Sequence, residues 1–246
     1  MITLNTLSFA YPSGGDVLSG LSMNIPKGTL LGLVGANGSG KSTLLSLMAG
    51  LYAPTGGSLV VADRISPGSE KSIRAICRLV MQDADLQILG GTVEEDMLMG
   101  VKRNEATLVR ARKMAERFNL LSAWDRPVQI LSWGMKRKLC LAAALLDEPK
   151  VLLLDEPFSG LDYPGVREMR SIIQENRQAG LTQVVSSHDL ESFIDLVDGV
   201  ALLDSGKLIV IGPPASVLDT VREHGVRPPR SWSVDRVIGS WDEVNG

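Results

Sequence analysis

Residues 35–42 read Gly35-Ala36-Asn37-Gly38-Ser39-Gly40-Lys41-Ser42 and lie between an apolar run at 30–34 and a segment with helical spacing at 41–51. This is the pattern G-x-x-x-x-G-K-[ST], with a strand before it and a helix after it. Glycines let backbone N–H groups turn inward around phosphate oxygens, and the helix start adds positive partial charge. Lys41 would meet the β- and γ-phosphates, and Ser42 would ligate Mg²⁺. The stretch predicts a phosphate-binding loop.

A second motif complements the loop. Four apolar residues, 151–154, are followed by Asp155 and Glu156. A buried strand would deliver both acids at its carboxyl end, where open α/β sheets bind ligands. Asp155 would hold Mg²⁺, and Glu156 is the candidate general base that polarises the attacking water. Together the two motifs predict a P-loop nucleotide hydrolase or kinase.

The order of elements predicts an α/β fold. Strands alternate with helices around the two motifs, which indicates a mostly parallel sheet with helices on both faces. Two alternating segments, 3–9 and 17–25, predict an N-terminal antiparallel β subdomain, and residues of about 85–145 predict an inserted α-helical subdomain. Within the inserted segment, Val109, Met114, Ala115 and Phe118 are the predicted core positions of a helix. The second half of the chain is predicted to hold a helix at 164–178, a strand at 181–186, a helix at 189–196 and strands at 200–203 and 208–211.

Composition excludes several classes of protein. The 246 residues are 44% apolar and 22% charged with net charge −3, which is ordinary for a globular domain and argues against nonspecific nucleic-acid binding. We expect neither a signal peptide nor a membrane span, and Cys77 and Cys140 are too few for a disulfide framework. Residues 100–140 carry ten basic and three acidic side chains, net +7. They form either a solvated helix face or a basic lobe for an anionic partner.

Further motifs narrow the reaction class. Leu131-Ser132-Trp133-Gly134-Met135 precedes a predicted helix, Ser159-Gly160-Leu161-Asp162 follows the acid pair, and Gln82 and His188 each follow a predicted strand. With this ordered set, residues 1–215 resemble the ATP-binding cassette (ABC) ATPase family. In that family two cassettes pack head to tail, and each ATP lies between one chain's phosphate loop and the other chain's signature motif.

The resemblance implies a role for each matching position. Lys41, Glu156 and His188 would be catalytic, with His188 on the γ-phosphate. Mg²⁺ would be held by Ser42, Gln82 and Asp155. The ATP-binding positions would be Tyr11, Gly35, Asn37, Gly38, Ser39, Gly40, Lys41, Ser42, Thr43 and Gln82, with Ser132 and Gly134 binding the partner chain's ATP. For Tyr11 the alternatives are stacking on adenine and packing within the protein.

The signature departs from the common Leu-Ser-Gly-Gly-Gln. Trp133 and Met135 replace its third and fifth residues. Met135 removes a polar group near the partner's nucleotide, which puts full activation across the dimer in doubt. It also favours pairing with a second, different cassette, whereas the retained Glu156 and His188 argue against a silent site.

A narrower resemblance concerns residues 82–100. Gln82-Asp83-Ala84-Asp85-Leu86-Gln87, followed by Thr92-Val93-Glu94-Glu95-Asp96, resembles the ATPases of energy-coupling-factor importers for cobalt, nickel and vitamins, although Ala84 replaces the usual proline. The resemblance implies a groove for the coupling helix of an integral membrane subunit. It also implies a peripheral location on the cytoplasmic face of the membrane and uptake of a metal ion or vitamin.

Alternative functions remain open at this point. A soluble ABC ATPase acting on ribosomes or nucleic acid would use the basic lobe, but no nucleic acid is expected as a partner. A small-molecule kinase would leave the signature without a role, and a regulatory module with a silent site rests on Met135 alone. The predicted domains are an ABC ATPase domain, 1–220, and an extension, 221–246. Trp232 and Trp241 would anchor a dimer contact in the extension, and His224 would be a surface residue.

Overall fold

The structure, a computed structural model, describes residues 1–242 and divides the chain into two compact units. The larger unit combines Met1–Leu79 with the chain from Lys150 onward, and the smaller unit is Val80–Pro149. Within the described residues no helix is long and apolar enough to cross a bilayer.

The strands and helices are interspersed along the chain after the first two strands. The strands are β1 (Ile2–Ala10), β2 (Asp16–Ile25), β3 (Leu30–Val34), β4 (Gly56–Val61), β5 (Arg64–Ser66), β6 (Cys77–Val80), β7 (Val151–Asp155), β8 (Thr182–Ser187), β9 (Gly199–Asp204) and β10 (Lys207–Gly212). The α-helices are α1 (Lys41–Met48), α2 (Glu70–Arg74), α3 (Val93–Met97), α4 (Glu105–Arg117), α5 (Trp133–Leu146), α6 (Tyr163–Gln178), α7 (Pro214–Val217) and α8 (Arg230–Asp235).

Two sheets form the framework. The first is antiparallel in the order β2-β1-β4-β5, and the second has the order β10-β9-β3-β8-β7-β6. In the second sheet β9, β3, β8 and β7 run parallel and β10 is antiparallel to β9. Val34 pairs with Ser187 and Asp155 pairs with Ser186, so β3, β8 and β7 end at one edge. The predicted α/β fold with a separate antiparallel sheet is confirmed.

Helix α1 is buried in the main core. Leu44, Leu45, Leu47 and Met48 are fully buried in an apolar cluster that contains side chains from both sheets. Full burial of one such side chain contributes roughly 1.5–3 kcal/mol. This packing fixes α1, and with it the position of Lys41 at its first turn.

The smaller unit is helical, and each of its three α-helices begins at a side-chain cap. Thr92, Asn104 and Ser132 accept hydrogen bonds from backbone N–H groups three residues ahead. On α4 the buried residues include Ala111 and Ala115, whereas Val109 is exposed. The prediction of Val109 as a core residue was therefore wrong by one position, since half-buried Leu108 lies on the 3-4 spacing of the buried side.

Residues 189–196 are not the predicted helix but a series of turns. Two backbone groups that a helix would pair with each other, the Ser192 carbonyl and the Leu196 N–H, have other partners. The Ser192 carbonyl accepts from the Arg170 guanidinium (2.8 Å), and the Leu196 N–H donates to the Phe193 carbonyl (2.9 Å). The helix-like spacing of apolar residues in this segment arises because the turns place the side chains of Leu190, Phe193 and Ile194 in the core. Burial alone therefore did not distinguish a helix from a series of turns.

The C-terminal part also differs from the sequence-based expectation. His224 is half-buried and its Nδ1 lies 2.8 Å from Asp204 Oδ2, so it is not a simple surface residue. Trp241 is buried against its own chain and is not an exposed anchor, whereas Trp232 Nε1 donates to Asp219 (3.0 Å). Residues 243–246 of the predicted extension lie outside the described residues. A dimer contact by this extension remains a prediction.

Candidate active site

The loop between β3 and α1 closes around the ammonium group of Lys41. Lys41 Nζ donates to the carbonyl oxygens of Gly35 (2.8 Å) and Ala36 (3.1 Å). Gly40 has φ +105°, and a Cβ on Gly35 would lie 2.2 Å from the Leu203 carbonyl oxygen. Glycine suits both positions, because a Cβ would displace backbone at Gly35 and because other residues rarely adopt the left-handed φ of Gly40. The loop therefore encloses a cation at the start of a buried helix.

Ser39 supports an anion-binding role for this loop. Its side chain is buried, and within residues 1–242 its Oγ has no hydrogen-bond partner. Buried polar groups in folded proteins nearly always have a partner. A phosphate oxygen in the loop would supply one, so the donor set fits a nucleotide phosphate.

The two acids at the end of β7 share one hydroxyl group. Ser186 Oγ donates to Asp155 Oδ1 (2.5 Å) and accepts from the Glu156 backbone N–H (3.0 Å). Glu156 has φ +48°, a left-handed conformation that costs on the order of 1–3 kcal/mol and persists only where the surroundings hold it. The hydrogen bond from the Glu156 N–H to Ser186 helps to hold this conformation. Sequence reasoning missed this residue because no local pattern predicts a hydrogen bond between strands.

Glu156 lies between a cation and an imidazole. Its Oε1 is 3.6 Å from Lys41 Nζ, and its Oε2 is 3.0 Å from His188 Nδ1. The Lys41 and Glu156 side chains are 5% and 7% exposed, whereas that of His188 is 47% exposed. The three predicted catalytic side chains thus meet at the edge where β3, β7 and β8 end. A carboxylate held in this way can orient and polarise a water molecule that reaches it from the His188 side.

Tyr11 packs within the larger unit. Its ring meets those of Phe9 and Tyr52 edge to face, at centroid distances of 4.9 and 5.6 Å. Its hydroxyl lies 3.1 Å from Thr43 Oγ1 on α1, one residue beyond Ser42. The structure therefore shows the packing alternative, and stacking of Tyr11 on adenine stays a prediction.

The remaining predicted positions belong to the smaller unit. Gln82 is exposed, and its carbonyl oxygen accepts from Arg137 Nη2 (3.1 Å). Ser132 caps α5 by accepting from the Met135 N–H (3.2 Å), which leaves its hydroxyl hydrogen available for another acceptor. Gly134 lies in the first turn of α5, next to Trp133, whose ring has the Arg137 guanidinium 4.2 Å from its centroid.

The oxygen donors at the site do not form a complete metal cage. Within residues 1–242 no group of three or more His, Cys, Asp or Glu side chains is arranged to hold a metal ion. Ser42 and Asp155 supply the oxygen ligands that Mg²⁺ prefers, and Mg²⁺ commonly completes its shell with substrate phosphates and water. The donor set fits a metal that arrives with a nucleotide.

The model of the family described as ABC transporter matches residues 18–159, more than half of the chain. The chain belongs to the ABC transporter family. Among curated relatives of this cassette, the cobalt import ATP-binding protein CbiO of Rhodobacter capsulatus is 36% identical over 239 residues, which cover 93% of the chain and 85% of that protein. The energy-coupling factor transporter ATP-binding protein EcfA3 of Clostridium perfringens is 31% identical, with 94% and 85% covered.

Solved structures agree with this assignment. CbiO1 from Clostridium perfringens, part of the transporter complex cbiONQ, matches with a TM-score of 0.78 and 29% identity, covering 96% of the chain and 98% of that structure. A dimeric cassette bound to ADP and Pi has the same fold, with a TM-score of 0.78, 23% identity and coverage of 87% and 99%. The predicted resemblance is confirmed, and the chain is an ABC ATPase of the energy-coupling-factor type.

Proposed function

We propose that this ABC cassette dimerises around two MgATP and uses their hydrolysis to drive a membrane transport subunit. The observation that carries the proposal is the placement of Glu156 between Lys41 and His188 at the rim of the phosphate loop. An ammonium group, a carboxylate and an imidazole at one edge supply the charges that phosphoryl transfer to water requires.

Each group has a distinct task in this proposal. Lys41 exchanges its loop carbonyls for β- and γ-phosphate oxygens, and the loop N–H groups from Gly35 to Gly40 bind the same phosphates. Glu156 orients the attacking water and accepts its proton. His188 contacts both the γ-phosphate and the Glu156 carboxylate and keeps them in fixed relative positions. Because the reaction is mainly a matter of charge placement, rigid positioning by β3, β7 and β8 provides most of the rate enhancement.

Magnesium would be held by Ser42 and Asp155 of the larger unit. A role for Gln82 in binding it stays a prediction. When bound, the metal neutralises charge on the phosphate oxygens. Ser186 orients Asp155 for this task through the hydrogen bond to Oδ1.

The smaller unit would serve the partner chain. Ser132 and the Gly134 N–H lie at the start of the 14-residue helix α5, which favours an anion. We propose that they bind the γ-phosphate held by the other cassette. Met135 offers no polar group there, so in a homodimer both sites would lack it. A partner that carries the common signature would complete the site at this chain's phosphate loop better than an identical chain would.

The transport role rests on residues 82–100 and on the similar proteins. Leu86 and Leu89 in this segment are 70% and 76% exposed, and large exposed apolar side chains close together are typical of partner contacts. We propose that they receive a helix of an integral membrane subunit. The relatives named for cobalt import and for energy coupling support uptake of a metal ion or vitamin at the cytoplasmic face of the membrane.

Affinity purification of the tagged full chain from detergent-solubilised membranes, followed by mass spectrometry, tests this proposal. We expect a polytopic membrane protein in the eluate, and any second cassette will identify the dimer partner. The variant L86D/L89D should lose the membrane protein while keeping ATP affinity. Recovery of ribosomal proteins would instead favour the alternative in which the basic residues of 100–140 bind nucleic acid.

A further inference from the structure

The turns that follow His188 are held by side chains rather than by a helix. Ser187 Oγ accepts from the Asp189 N–H (3.0 Å) and donates to the Asp189 carbonyl (2.8 Å). Six residues further on, Asp195 receives both guanidinium nitrogens of Arg170 from α6, at 2.8 and 2.7 Å. The ion pair therefore holds the far end of the turns that begin at His188.

Trp241 covers the ion pair. Its ring centroid lies 5.0 Å from Arg170 Cζ, and its backbone N–H donates to Asp195 Oδ2 (3.2 Å). The same ring stacks on Tyr163, the first residue of α6, at 4.9 Å and 18°. Trp241 is only 6% exposed, so it keeps water from one side of the Arg170–Asp195 pair.

The C-terminal segment meets the turns at two further points. Arg227 forms an isolated β-bridge with Asp189, the residue after His188. The Arg230 N–H donates to Glu191 Oε2 (2.9 Å). Together with the contact of Trp241 with Asp195, these interactions mean that residues 227–241 contact the turns at positions 189, 191 and 195. The contact at Asp189 is one residue from the imidazole that meets Glu156.

We propose that Trp241 is a positioning residue for ATP hydrolysis, acting through the turns at 189–195 on His188. This inference rests on the role of His188 in the proposed function. A shift of about 1 Å in a catalytic group can reduce turnover about a hundredfold. The phosphate loop has its own rigid support in β3 and α1, so loss of Trp241 slows turnover and leaves ATP affinity largely intact.

The test is steady-state ATP hydrolysis by the full chain and its variants W241A, W241F, D195N and H188A, each with ATP stoichiometry measured by titration. We expect W241A to lower kcat about tenfold per bound ATP with KM changed less than about twofold. W241F, which retains a ring over Arg170, should recover most of the rate. D195N, which keeps the shape of the side chain and removes its charge, should lower kcat in the same direction. The D195N variant also tests the proposal if W241A does not fold.

The outcomes distinguish the proposed role of His188 from that of Trp241. If H188A hydrolyses ATP at the wild-type rate, the proposed role of His188 is wrong, and positioning through it is wrong with it. If H188A is slow but W241A and D195N keep wild-type kcat, only the positioning role is overturned. A fall in ATP stoichiometry that accounts for all of the lost rate in W241A and D195N would also overturn it, because it would show that Trp241 supports folding alone.

Discussion

Lys41 Nζ lies 3.6 Å from Glu156 Oε1, and both side chains are less than a tenth exposed. The group proposed to bind phosphate and the group proposed to activate water are therefore already paired by the fold. Breaking a buried ion pair on one side commonly costs about 3–5 kcal/mol, because the remaining charge is left uncompensated. Variants at these two positions must therefore be read for stability as well as for activity.

The substitution E156Q should separate binding from chemistry. Glutamine has almost the same shape and can accept a hydrogen bond, but it cannot take a proton from water. We expect kcat for ATP hydrolysis to fall about 10²- to 10⁴-fold while ATP still binds. Gel filtration with MgATP should then show a persistent dimer. Turnover at the wild-type rate would show that another group is the base.

The substitution K41A should weaken ATP binding at least tenfold, which corresponds to about 1.4 kcal/mol. Equilibrium titration with ATP measures this directly. Because K41A also leaves Glu156 buried without its cation, the free energy of unfolding should fall. The double variant K41A/E156Q should regain part of that loss in urea denaturation. Unchanged ATP affinity in K41A would contradict the phosphate-loop assignment.

A mixture of two inactive variants tests whether the active site is shared between chains. If the chain forms homodimers, K41A and S132A chains combine into dimers in which both defects fall in one composite site and the other site is intact. We expect the mixture to hydrolyse ATP faster than either variant alone. S132A also removes a helix cap, worth about 1 kcal/mol, so its fold is checked by thermal unfolding. A mixture with only the averaged rate would contradict the head-to-tail arrangement of identical chains.

Removing the Ser186 hydroxyl, which lies outside the sequence motifs, should lower both stability and activity. S186A removes the donor to Asp155 Oδ1 and the acceptor for the Glu156 N–H. Leaving buried polar groups without partners costs about 1–3 kcal/mol each, so unfolding in urea should move to lower concentration. We also expect a higher Mg²⁺ requirement for ATP hydrolysis. S171A removes an exposed hydroxyl that donates to Glu175, and should leave both measurements unchanged.

The lowered pKa of Asp195 predicts how the stability of the protein changes with pH. Burial raises the pKa of its carboxyl group, but the hydrogen bonds from Arg170 and the Trp241 N–H outweigh burial and hold that pKa below its ordinary value. The folded state therefore gains stability from this group above the unfolded pKa of about 3.9 and loses it as pH falls through the lower folded pKa. Thermal unfolding from pH 6 to pH 3 should show D195N less stable than wild type at pH 6. The difference should shrink toward pH 3, and a constant difference would contradict this explanation.

Local rules of backbone structure explain the features that could be predicted from the sequence. The phosphate loop is specified by glycines at positions such as Gly35 and Gly40, where a side chain would strike backbone or require φ near +105°. Asp155 and Glu156 could be predicted because two charged residues after an apolar run are typical of the carboxyl end of a buried strand. Parallel strands then bring the segments after β3, β7 and β8 to one edge. The meeting of Lys41, Glu156 and His188 could be expected for this reason.

Distant contacts replace local ones in the segments where the structure differs from the sequence-based prediction. Residues 189–196 have helical apolar spacing, but Arg170 binds the Ser192 carbonyl and the Asp195 carboxylate from another element. The His224 imidazole pairs with Asp204, which lies 20 positions away in the sequence. The Trp241 backbone N–H donates to Asp195, which lies 46 positions away. None of these partners can be chosen from the chain order, since many carboxylates and guanidinium groups are available at similar separations.

The α/β fold, the glycine-rich loop, the acid pair and the family can all be predicted from the order of residues, because these features depend on backbone sterics, strand burial and the order of motifs along the chain. The three-dimensional packing was needed to show that Ser186 joins the two acids, that Lys41 is paired with Glu156, and that Trp241 covers the ion pair beyond His188. Those contacts depend on side-chain distances of a few ångströms between elements far apart in sequence. The packing of the core fixes these distances, and the pattern of residues alone does not.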